Sequence, residues 1–371
     1  MDLAQTWVPY SLDDSVIDVF PEIFERPFLF VYSNTKLIEL STYLAIGPQI
    51  YADGMLVFQQ QKEGENQQKV GGGAMIDRRK VIGRISGKDI ICHIIKSDFS
   101  PYPNPIYAKT ASEIMDVITN NEIIKKDSSL RRVIEVFKET RFAFVPIIGT
   151  QLLKGNKFPN DNNQEAEEVT AALSIREFLS LFTGAHRNNS NINNNIDTQE
   201  KISIPVKEIS SNLVSVSKYD SIKDAIDIMI NRGIRNIGIK NQNSDLVGII
   251  NDRNIIEFLL SPRWRLKEII DSIEHNGETR NNESTQINIK EVIADSNNSI
   301  DNSGHVPSIN SIISNLRIIP ISEVKIEENT TISKAAELLM DIHNPFLVLQ
   351  RENAIVTPWD IVMKTIDFSN K

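Results

Sequence analysis

Four segments of the chain repeat one short pattern, and this repeat constrains the fold more than any other feature. In each segment an aliphatic strand runs into Ser, Thr or Asn, and an acid or its amide follows three residues later at a predicted helix start. The segments read VIGRISGKDII (Ser86, Asp89), TAALSIREFL (Ser174, Glu177), LVGIINDRNII (Asn251, Asn254) and AIVTPWDIV (Thr357, Asp360). Because internal repeats indicate repeated structural units, we predict four related units.

Each segment also ends a similar series of predicted elements. In the third, LVSV reads as a strand, Asp220 and Ser221 as helix caps, and Ile222, Ala225, Ile226 and Met229 as the buried face of a helix. The strands IRNIGIK and LVGII and a second helix follow. The fourth series begins with the strand VKI and offers Asn329 and Thr330 as caps. The order β-α-β-β-α predicts a mixed α/β (α+β) fold.

The unit boundaries follow from polar, Asn-rich stretches. We predict unit 1 at 1–100, unit 2 at 101–185, a linker at 186–200, unit 3 at 201–262, a polar insertion at 263–317 and unit 4 at 318–371. In units 1 and 2 the last two strands are separated by long polar loops. No remaining segment is expected to fold as a catalytic domain.

The repeated pattern resembles the cystathionine-β-synthase (CBS) domain, and the fourth copy, with Thr357 and Asp360 in a hydrophobic-Thr-x-x-Asp-hydrophobic string, is the most typical. The resemblance covers most of the chain. It implies four CBS repeats that pair into two Bateman modules, with ligand clefts between the paired sheets. Four tandem repeats without a catalytic domain are similar in organisation to the γ subunit of AMP-activated protein kinase.

The polar pairs themselves allow two interpretations. A Ser or Thr that caps a helix and an acid at the third helical position satisfy free N–H groups and the helix dipole. The same N–H groups attract phosphate, and the carboxylate can accept hydrogen bonds from ribose hydroxyls. The resemblance implies the second use, with the acid on the ribose and the Ser or Thr beside the phosphate. Asn251 and Asn254 lack the hydroxyl and the charge, so the third site is expected to differ.

Further ligand contacts are expected around these pairs. Lys88, Arg176 and Arg253 occupy the same position in three copies, either as phosphate contacts or as exposed residues of a first helical turn. The resemblance implies an apolar adenine slot between the first and last strands of a repeat. Its candidates in the second half are Val214, Ile250, Val324 and Val356, which periodicity alone also assigns to the core.

Composition excludes several other functions. A net charge of −9 disfavours binding to a nucleic-acid backbone, and the five histidines and single cysteine show no metal-ligand spacing. No apolar run is long enough for a membrane span, no secretory signal is expected, and one cysteine suits a reducing cytoplasm. No catalytic residues, metal or required cofactor are predicted.

Three functions remain open. The leading hypothesis is a cytoplasmic, non-catalytic regulatory protein that senses AMP, ADP or ATP and acts on an unidentified protein target. S-adenosylmethionine and cyclic di-AMP are alternative ligands. A second hypothesis is a structural interaction module without a ligand, and an enzyme is the weakest. The modules pair within one chain or, through a homodimer, across two chains.

Overall fold

The computed structural model describes the repeated units and leaves out the long polar segments between them. The described residues are 12–26, 28–46, 54–60, 80–96, 109–151, 166–183, 204–259, 310–341, 344–351 and 353–365. The predicted linker at 186–200 and most of the predicted insertion at 263–317 lie outside the described residues.

The first half of the chain forms units 1 and 2. Its helices are α1 (Val16–Val19), α2 (Leu37–Ile46), α3 (Gly87–Lys96), α4 (Ala111–Ile114) and α5 (Leu130–Thr140). Its strands are β1 (Phe30–Tyr32), β2 (Met55–Phe58), β3 (Val81–Ile85), β4 (Asp116–Val117), β5 (Ile124–Lys125), β6 (Phe144–Gln151) and β7 (Ala166–Ser174). Short 3-10 helices cover Pro21–Phe24, Asn120–Glu122 and Glu177–Phe182. The last of these replaces the α-helix expected at the end of unit 2.

The second half forms units 3 and 4. Its helices are α6 (Ile222–Arg232), α7 (Asp252–Leu259), α8 (Ile321–Val324), α9 (Ile332–Met340) and α10 (Pro358–Thr365). Its strands are β8 (Ser211–Asn212), β9 (Ser215–Ser217), β10 (Asn236–Lys240), β11 (Leu246–Asn251), β12 (Ile319–Pro320), β13 (Leu347–Leu349) and β14 (Ala354–Val356). Two 3-10 helices cover Val206–Glu208 and Ile313–Asn315. The β-α-β-β-α order is confirmed, although the VKI strand of unit 4 is reduced to a bridge between Lys325 and Val348.

Capping side chains mark the first residues of helices α6 and α9. Ser221 caps α6, as predicted, by accepting from the Asp224 N–H at 3.1 Å, whereas Asp220 accepts from the Ser217 N–H in the preceding turn. In unit 4 the predicted caps Asn329 and Thr330 are wrong. Thr331 caps α9, because its hydroxyl accepts from the Lys334 N–H at 3.2 Å.

A feature absent from the sequence prediction is the exchange of lead-in segments within each module. The stretch before each unit packs on the partner unit: 12–24 on unit 2, 109–118 on unit 1, 204–212 on unit 4 and 310–320 on unit 3. Four bridges mark equivalent contacts at the first helix of each unit, namely Ser15 with Ser129, Lys36 with Thr110, Pro205 with Thr331 and Ser221 with Ile312.

This exchange corrects the predicted boundaries. Ile313 and Leu316 are core residues of unit 3, so the predicted end of the insertion at 317 is too late. Val16 and Phe20, which the predicted boundaries place in unit 1, pack in the core of unit 2. These segments lack the repeated pattern, because their role is to fill space on a partner unit.

Four sheets result from this exchange. Unit 1 has the order β1-β2-β3-β4, unit 2 has β5-β6-β7, unit 3 has β9-β10-β11-β12 and unit 4 has β8-β14-β13. In three of the sheets an edge strand therefore comes from a lead-in segment. Between the sheets of units 1 and 2 lies an apolar cluster that includes Leu56, Phe58 and Phe144. A second cluster, with Ile249, Val324 and Phe346, lies between the sheets of units 3 and 4.

The helices join the two modules within one chain. Unit 1 and unit 3 share one core cluster, in which α2 and α3 meet α7. Unit 2 and unit 4 share another, in which the Glu177–Phe182 helix meets α9 and α10. The apolar helical faces that a single module would expose are thus buried by the other module. The two modules thus pair within one chain as a four-unit assembly.

Candidate functional site

The repeated polar pairs lie at the four junctions between the last strand and the last helix of a unit. In unit 1, both the N–H and the hydroxyl of Ser86 donate to Oδ2 of Asp89, at 2.7 Å each. Within the described residues, the other carboxylate oxygen of Asp89 has no hydrogen-bond partner. This is the geometry of a helix-start box with one acceptor left for another molecule.

In unit 4, both carboxylate oxygens of Asp360 have partners within the chain. The N–H and the hydroxyl of Thr357 donate to Oδ2 of Asp360 at 2.9 and 2.7 Å. Its Oδ1 accepts from the Ser211 hydroxyl at 2.6 Å and pairs with Lys364 at 2.9 Å. Ser211 belongs to β8, the edge strand supplied by the lead-in segment. A ribose at this site would have to displace an internal partner.

Unit 2 shows a similar engagement. The Ser174 N–H donates to Oε2 of Glu177 at 2.6 Å, and Oε1 of Glu177 pairs with Arg26, which directly follows the lead-in segment 12–24. The hydroxyl of Ser174 accepts from the Arg176 N–H at 3.1 Å. Units 2 and 4 therefore both pair the acid of the box with a cation of the chain.

Unit 3 keeps the box with amides in place of the hydroxyl and the acid. The N–H of Asn251 donates to Oδ1 of Asn254, and the N–H of Asn254 donates to Oδ1 of Asn251, both at 3.0 Å. Both side chains are buried. The reciprocal bonds satisfy the helix start without any charge, which shows that the box does not require an acid to form.

The electrostatic environment of Asp89 differs from that of an ordinary exposed acid. Burial raises the pKa of this carboxyl above its usual value of 3.8, although hydrogen bonds from Ser86 oppose the shift. The nearby charge of Asp116 adds to the rise, and Lys88 lowers the pKa. A partly buried carboxylate that is short of donors is stabilised by a ligand hydroxyl that reaches it.

A buried arginine, missed by the sequence analysis, accompanies this carboxylate. Arg84 of β3 is 1% exposed, pairs with Glu122, and reaches Asp116 on the edge strand β4 at 3.3 Å. Its guanidinium lies 3.9 Å from the centre of the Phe142 ring. Its Nε and Nη1 are buried without a hydrogen-bond partner in the described part of the chain. The sequence signal for this buried residue was an arginine inside the otherwise apolar strand VIGRI.

The first turns of α3 and α7 meet where units 1 and 3 pack together. Gly87 and Asp252 occupy equivalent positions, each directly after the first residue of its box. A Cβ atom on Gly87 would lie 2.5 Å from Oδ2 of Asp252, so the glycine makes room for this carboxylate. Asp252 is 1% exposed, and Arg235 donates to both of its oxygens, at 2.7 and 3.3 Å.

The three cations predicted as phosphate contacts lie in different environments. Lys88 is exposed, and Arg253 is half-buried beside Asp252, whose Oδ1 accepts from the Arg253 N–H at 3.0 Å. The guanidinium of Arg176 donates to the Leu339 carbonyl in the last turn of α9 and, at 3.3 Å, to the Asn344 carbonyl beyond the helix. Arg176 thus joins unit 2 to unit 4. Phosphate contact by the three cations stays a prediction.

The four residues predicted to form the adenine slot lie in different parts of the fold. Ile250 and Val356 are buried in the clusters that join units 1 with 3 and 2 with 4. Val324 lies in the cluster between the sheets of units 3 and 4. Val214 is half-buried, and its carbonyl accepts from the Gly238 N–H at 2.8 Å. Ile250 and Val356 are therefore core residues of the helical side, and a role of Val214 and Val324 in binding stays a prediction.

The described residues hold no group of three or more His, Cys, Asp and Glu side chains that could bind a metal ion. Every helix in the described part of the chain is too short or too polar to cross a lipid bilayer.

The comparisons with known proteins agree with this architecture. Residues 206–261 match the family model of the CBS domain. A protein from Methanocaldococcus jannaschii, described as a candidate archaeal homologue of γ-AMPK, has 17% identity and a TM-score of 0.54, with 94% of this chain and 99% of that chain covered. An uncharacterised Pyrococcus horikoshii protein has 11% identity and a TM-score of 0.41, with 85% and 92% covered. No curated protein matches the sequence.

Another solved structure matches somewhat less than half of this chain. CBSX2 in complex with AMP has 16% identity and a TM-score of 0.28, and covers 44% of this chain and 96% of its own. At these identities the similarity concerns the fold, which the Methanocaldococcus jannaschii structure supports over nearly the whole chain.

Proposed function

We propose that this chain, a CBS-domain protein with tandem repeats, is a non-catalytic regulatory protein that binds an adenosine-containing ligand in a cleft between paired repeats and transmits binding to a protein partner. The ligands to be tested are AMP, ADP, ATP, S-adenosylmethionine and cyclic di-AMP. The observation that carries the proposal is Asp89. Of the three acids in the repeated boxes, it has an oxygen without a hydrogen-bond partner in the described residues and no paired cation.

The chemistry of this position favours a ribose. Vicinal hydroxyls are good donors to a carboxylate, and a hydrogen bond to a charged acceptor is about twice as strong as a neutral one. Asp89 is half-buried, so its free oxygen is open to a ligand while the rest of the carboxylate is partly withdrawn from water. The junction lies where units 1 and 3 meet, so a bound ligand there is placed to alter how the two modules pack. The coupling to a partner equals the difference in ligand affinity between the two packing states.

The test is calorimetric titration of the ligand panel, with GTP as the comparison nucleotide. Asp89→Asn keeps an oxygen for the Ser86 donors, as Asn254 does in unit 3, and removes the charge. We expect at least a tenfold loss of affinity for the ligand that binds, equivalent to about 1.4 kcal/mol.

Asp224→Asn is the matched control. Ser221 and Asp224 form the same box, with the hydroxyl donating to Oδ2 at 2.6 Å, but at the first helix of unit 3 and on the surface. This variant should bind the ligand like the wild type. Equal binding by all three proteins, or no binding of any panel member, would sink the proposal.

A ligand-free interaction module is the second candidate, and the engagement of units 2 and 4 favours it. The acids there are paired with Arg26 and Lys364, so both sites are satisfied without a ligand. No heat of binding for any ligand, together with unchanged stability, would support this alternative.

A further inference from the structure

One buried side chain between units 1 and 2 has hydrogen-bond donors that the chain does not use. Arg84 of β3 is 1% exposed, and its Nη2 donates to Glu122 and, at 3.3 Å, to Asp116. Its Nε and Nη1 are buried without an acceptor among the described residues. Such donors are unfavourable, because they have lost their hydrogen bonds to water and formed no others. A molecule that brings an acceptor to Arg84 would remove this penalty.

The equivalent positions of the other units show that Arg84 is an exception. Two positions before the first residue of each box lie Ala172 in unit 2, Ile249 in unit 3 and Ile355 in unit 4. All three pack in the apolar clusters between the paired sheets. Isoleucines at both positions therefore close the cleft of units 3 and 4. An arginine is not needed to fill such a position, which points to a role of Arg84 in binding.

The charges around Arg84 favour an uncharged acceptor over an anion. The carboxylates of Glu122 and Asp116 both contact the one guanidinium, so this cluster has no positive charge in excess. A phosphate or a carboxylate would meet two acids here. A guanidinium offers donors only, and the ring nitrogens of a nucleobase are acceptors without a charge. The unused donors therefore fit the acceptor edge of a base.

The position of Arg84 suits a ligand that also reaches Asp89. Asp116 contacts Arg84 and is close enough to Asp89 to raise the pKa of that carboxyl, so the two residues lie in one neighbourhood. From unit 2, Glu122 and the Phe142 ring, whose centre is 3.9 Å from Cζ of Arg84, hold the guanidinium. An acceptor reaches the buried nitrogens only when neighbouring side chains of the cleft move aside. Binding at Arg84 would thus alter the contact between the two units.

We propose that Arg84 recognises the base of the ligand and donates from Nε or Nη1 to a ring nitrogen of adenine. This inference rests on the proposed function and adds a base contact at Arg84 to the ribose contact at Asp89. The cleft between units 3 and 4 has isoleucine at the positions equivalent to Arg84, so it lacks this means of recognition.

The test is calorimetric titration of the full-length protein with adenosine and with three analogues. In each analogue C–H replaces one ring nitrogen acceptor, N1, N3 or N7. Wild type should bind adenosine and should bind one analogue about tenfold more weakly or worse, because that analogue lacks the acceptor for Arg84. Binding of all three analogues within about threefold of adenosine would overturn the inference.

A double variant ties this discrimination to the arginine. Arg84→Met is combined with Glu122→Gln, so that the acid does not keep its charge after losing its partner. This variant should bind adenosine about tenfold more weakly than wild type and should no longer distinguish the weak analogue. Discrimination that persists without Arg84 would contradict the proposed contact.

Two single variants are the controls. Glu122→Gln alone retains Arg84 and should still distinguish the weak analogue from adenosine. Ile249→Met changes the equivalent position of unit 3 and should bind adenosine like the wild type. The analogue series with wild type decides the inference even if the double variant fails to fold.

The outcomes separate the inference from the proposed function. If a ligand of the panel binds wild type but adenosine does not, or the analogues are not distinguished, the inference fails and the proposed function stands. If neither adenosine nor any ligand of the panel binds, both fail.

Discussion

Two Ser-x-x-Asp boxes of this chain place the same side chains in opposite electrostatic environments. At a strand-to-helix junction Ser86 is buried and Asp89 is half-buried, whereas Asp224, the acid of the Ser221 box, is exposed. Burial raises the pKa of Asp89, and hydrogen bonds from the Ser221 side chain and backbone lower the pKa of Asp224. The first acid opposes folding when it is ionised, and the second supports folding. The same motif therefore destabilises the fold at Asp89, when that acid is ionised, and stabilises the fold at Asp224.

The two Asp→Asn variants should change stability in opposite directions near neutral pH. Asp89→Asn should unfold at the same temperature as wild type or higher, because it removes a buried charge and keeps an oxygen for Ser86. Asp224→Asn should lose less than about 1 kcal/mol, since its box is exposed and screened. Thermal unfolding of both proteins measures the difference. A fall of several degrees for Asp89→Asn would mean that its charge stabilises the fold.

The stability of wild type relative to Asp89→Asn should also depend on pH. The folded protein keeps the Asp89 proton to a higher pH than the unfolded chain, because the folded pKa is raised. The stability from the protonated form is complete below the unfolded pKa of about 4 and is lost as pH rises through the folded pKa. The advantage of Asp89→Asn should thus be present near neutral pH and disappear on acidification. An advantage that is independent of pH would contradict the shift.

Sequence patterns at this scale identified the boxes but not their partners. The spacing of Ser86 and Asp89 gave the local hydrogen bonds, because a helix start fixes them within four residues. The partners Arg26, Ser211 and Asp252 are distant in sequence, and only tertiary packing brings them to the boxes. The repeated cation was likewise visible as a pattern, yet Arg176 and Lys88 differ entirely in what they contact.

At the scale of elements, Arg176 of unit 2 contacts the C-terminal end of helix α9 in unit 4. Its guanidinium donates to the Leu339 carbonyl, which the last turn of α9 leaves without a helical partner, and to the Asn344 carbonyl beyond the helix. A cation at this end also complements the helix dipole. The arginine thus caps α9 from unit 2 and contributes to the contact between units 2 and 4.

Replacing this cap should weaken the contact between the units. We expect Arg176→Met to lower the free energy of unfolding by about 1 to 2 kcal/mol, reduced from the full value for charged hydrogen bonds because the side chain is partly exposed. Lys88→Met changes the equivalent position of unit 1, where the side chain is exposed, and should stay within about 0.5 kcal/mol of wild type. Chemical denaturation measures both. Similar losses for the two variants would rule out a capping role.

The elements of the repeats were predicted better than those between them. Strands and helices with an apolar periodicity, such as β10, β11 and α6, lie where the sequence placed them. The lead-in segments have short elements and few periodic positions, so nothing in their sequence indicated that they pack on the partner unit. A segment such as Ile313–Asn315 is recognised only by the core that it completes.

At the scale of the whole molecule, the two shared helical clusters determine how the chain unfolds. Each module contributes one unit to each cluster, so neither module keeps both of its apolar faces covered without the other. Each module has a smaller cluster of its own between its two sheets, but its two larger clusters are shared with the other module, which opposes separate unfolding. A ligand bound at unit 1, as proposed, would be linked to the stability of unit 3 through the same cluster.

We expect one cooperative transition in calorimetry, with calorimetric and van't Hoff enthalpies in agreement. Ile256→Asp should break this cooperativity, because it places an unpaired charge at a fully buried position of α7 in the cluster of units 1 and 3. The transition should then broaden or divide into two. Val247→Asp is the control, since Val247 is 39% exposed on β11 of the same unit. Two resolved transitions in wild type would show that the modules fold independently and that ligand binding in one is not transmitted through the shared core.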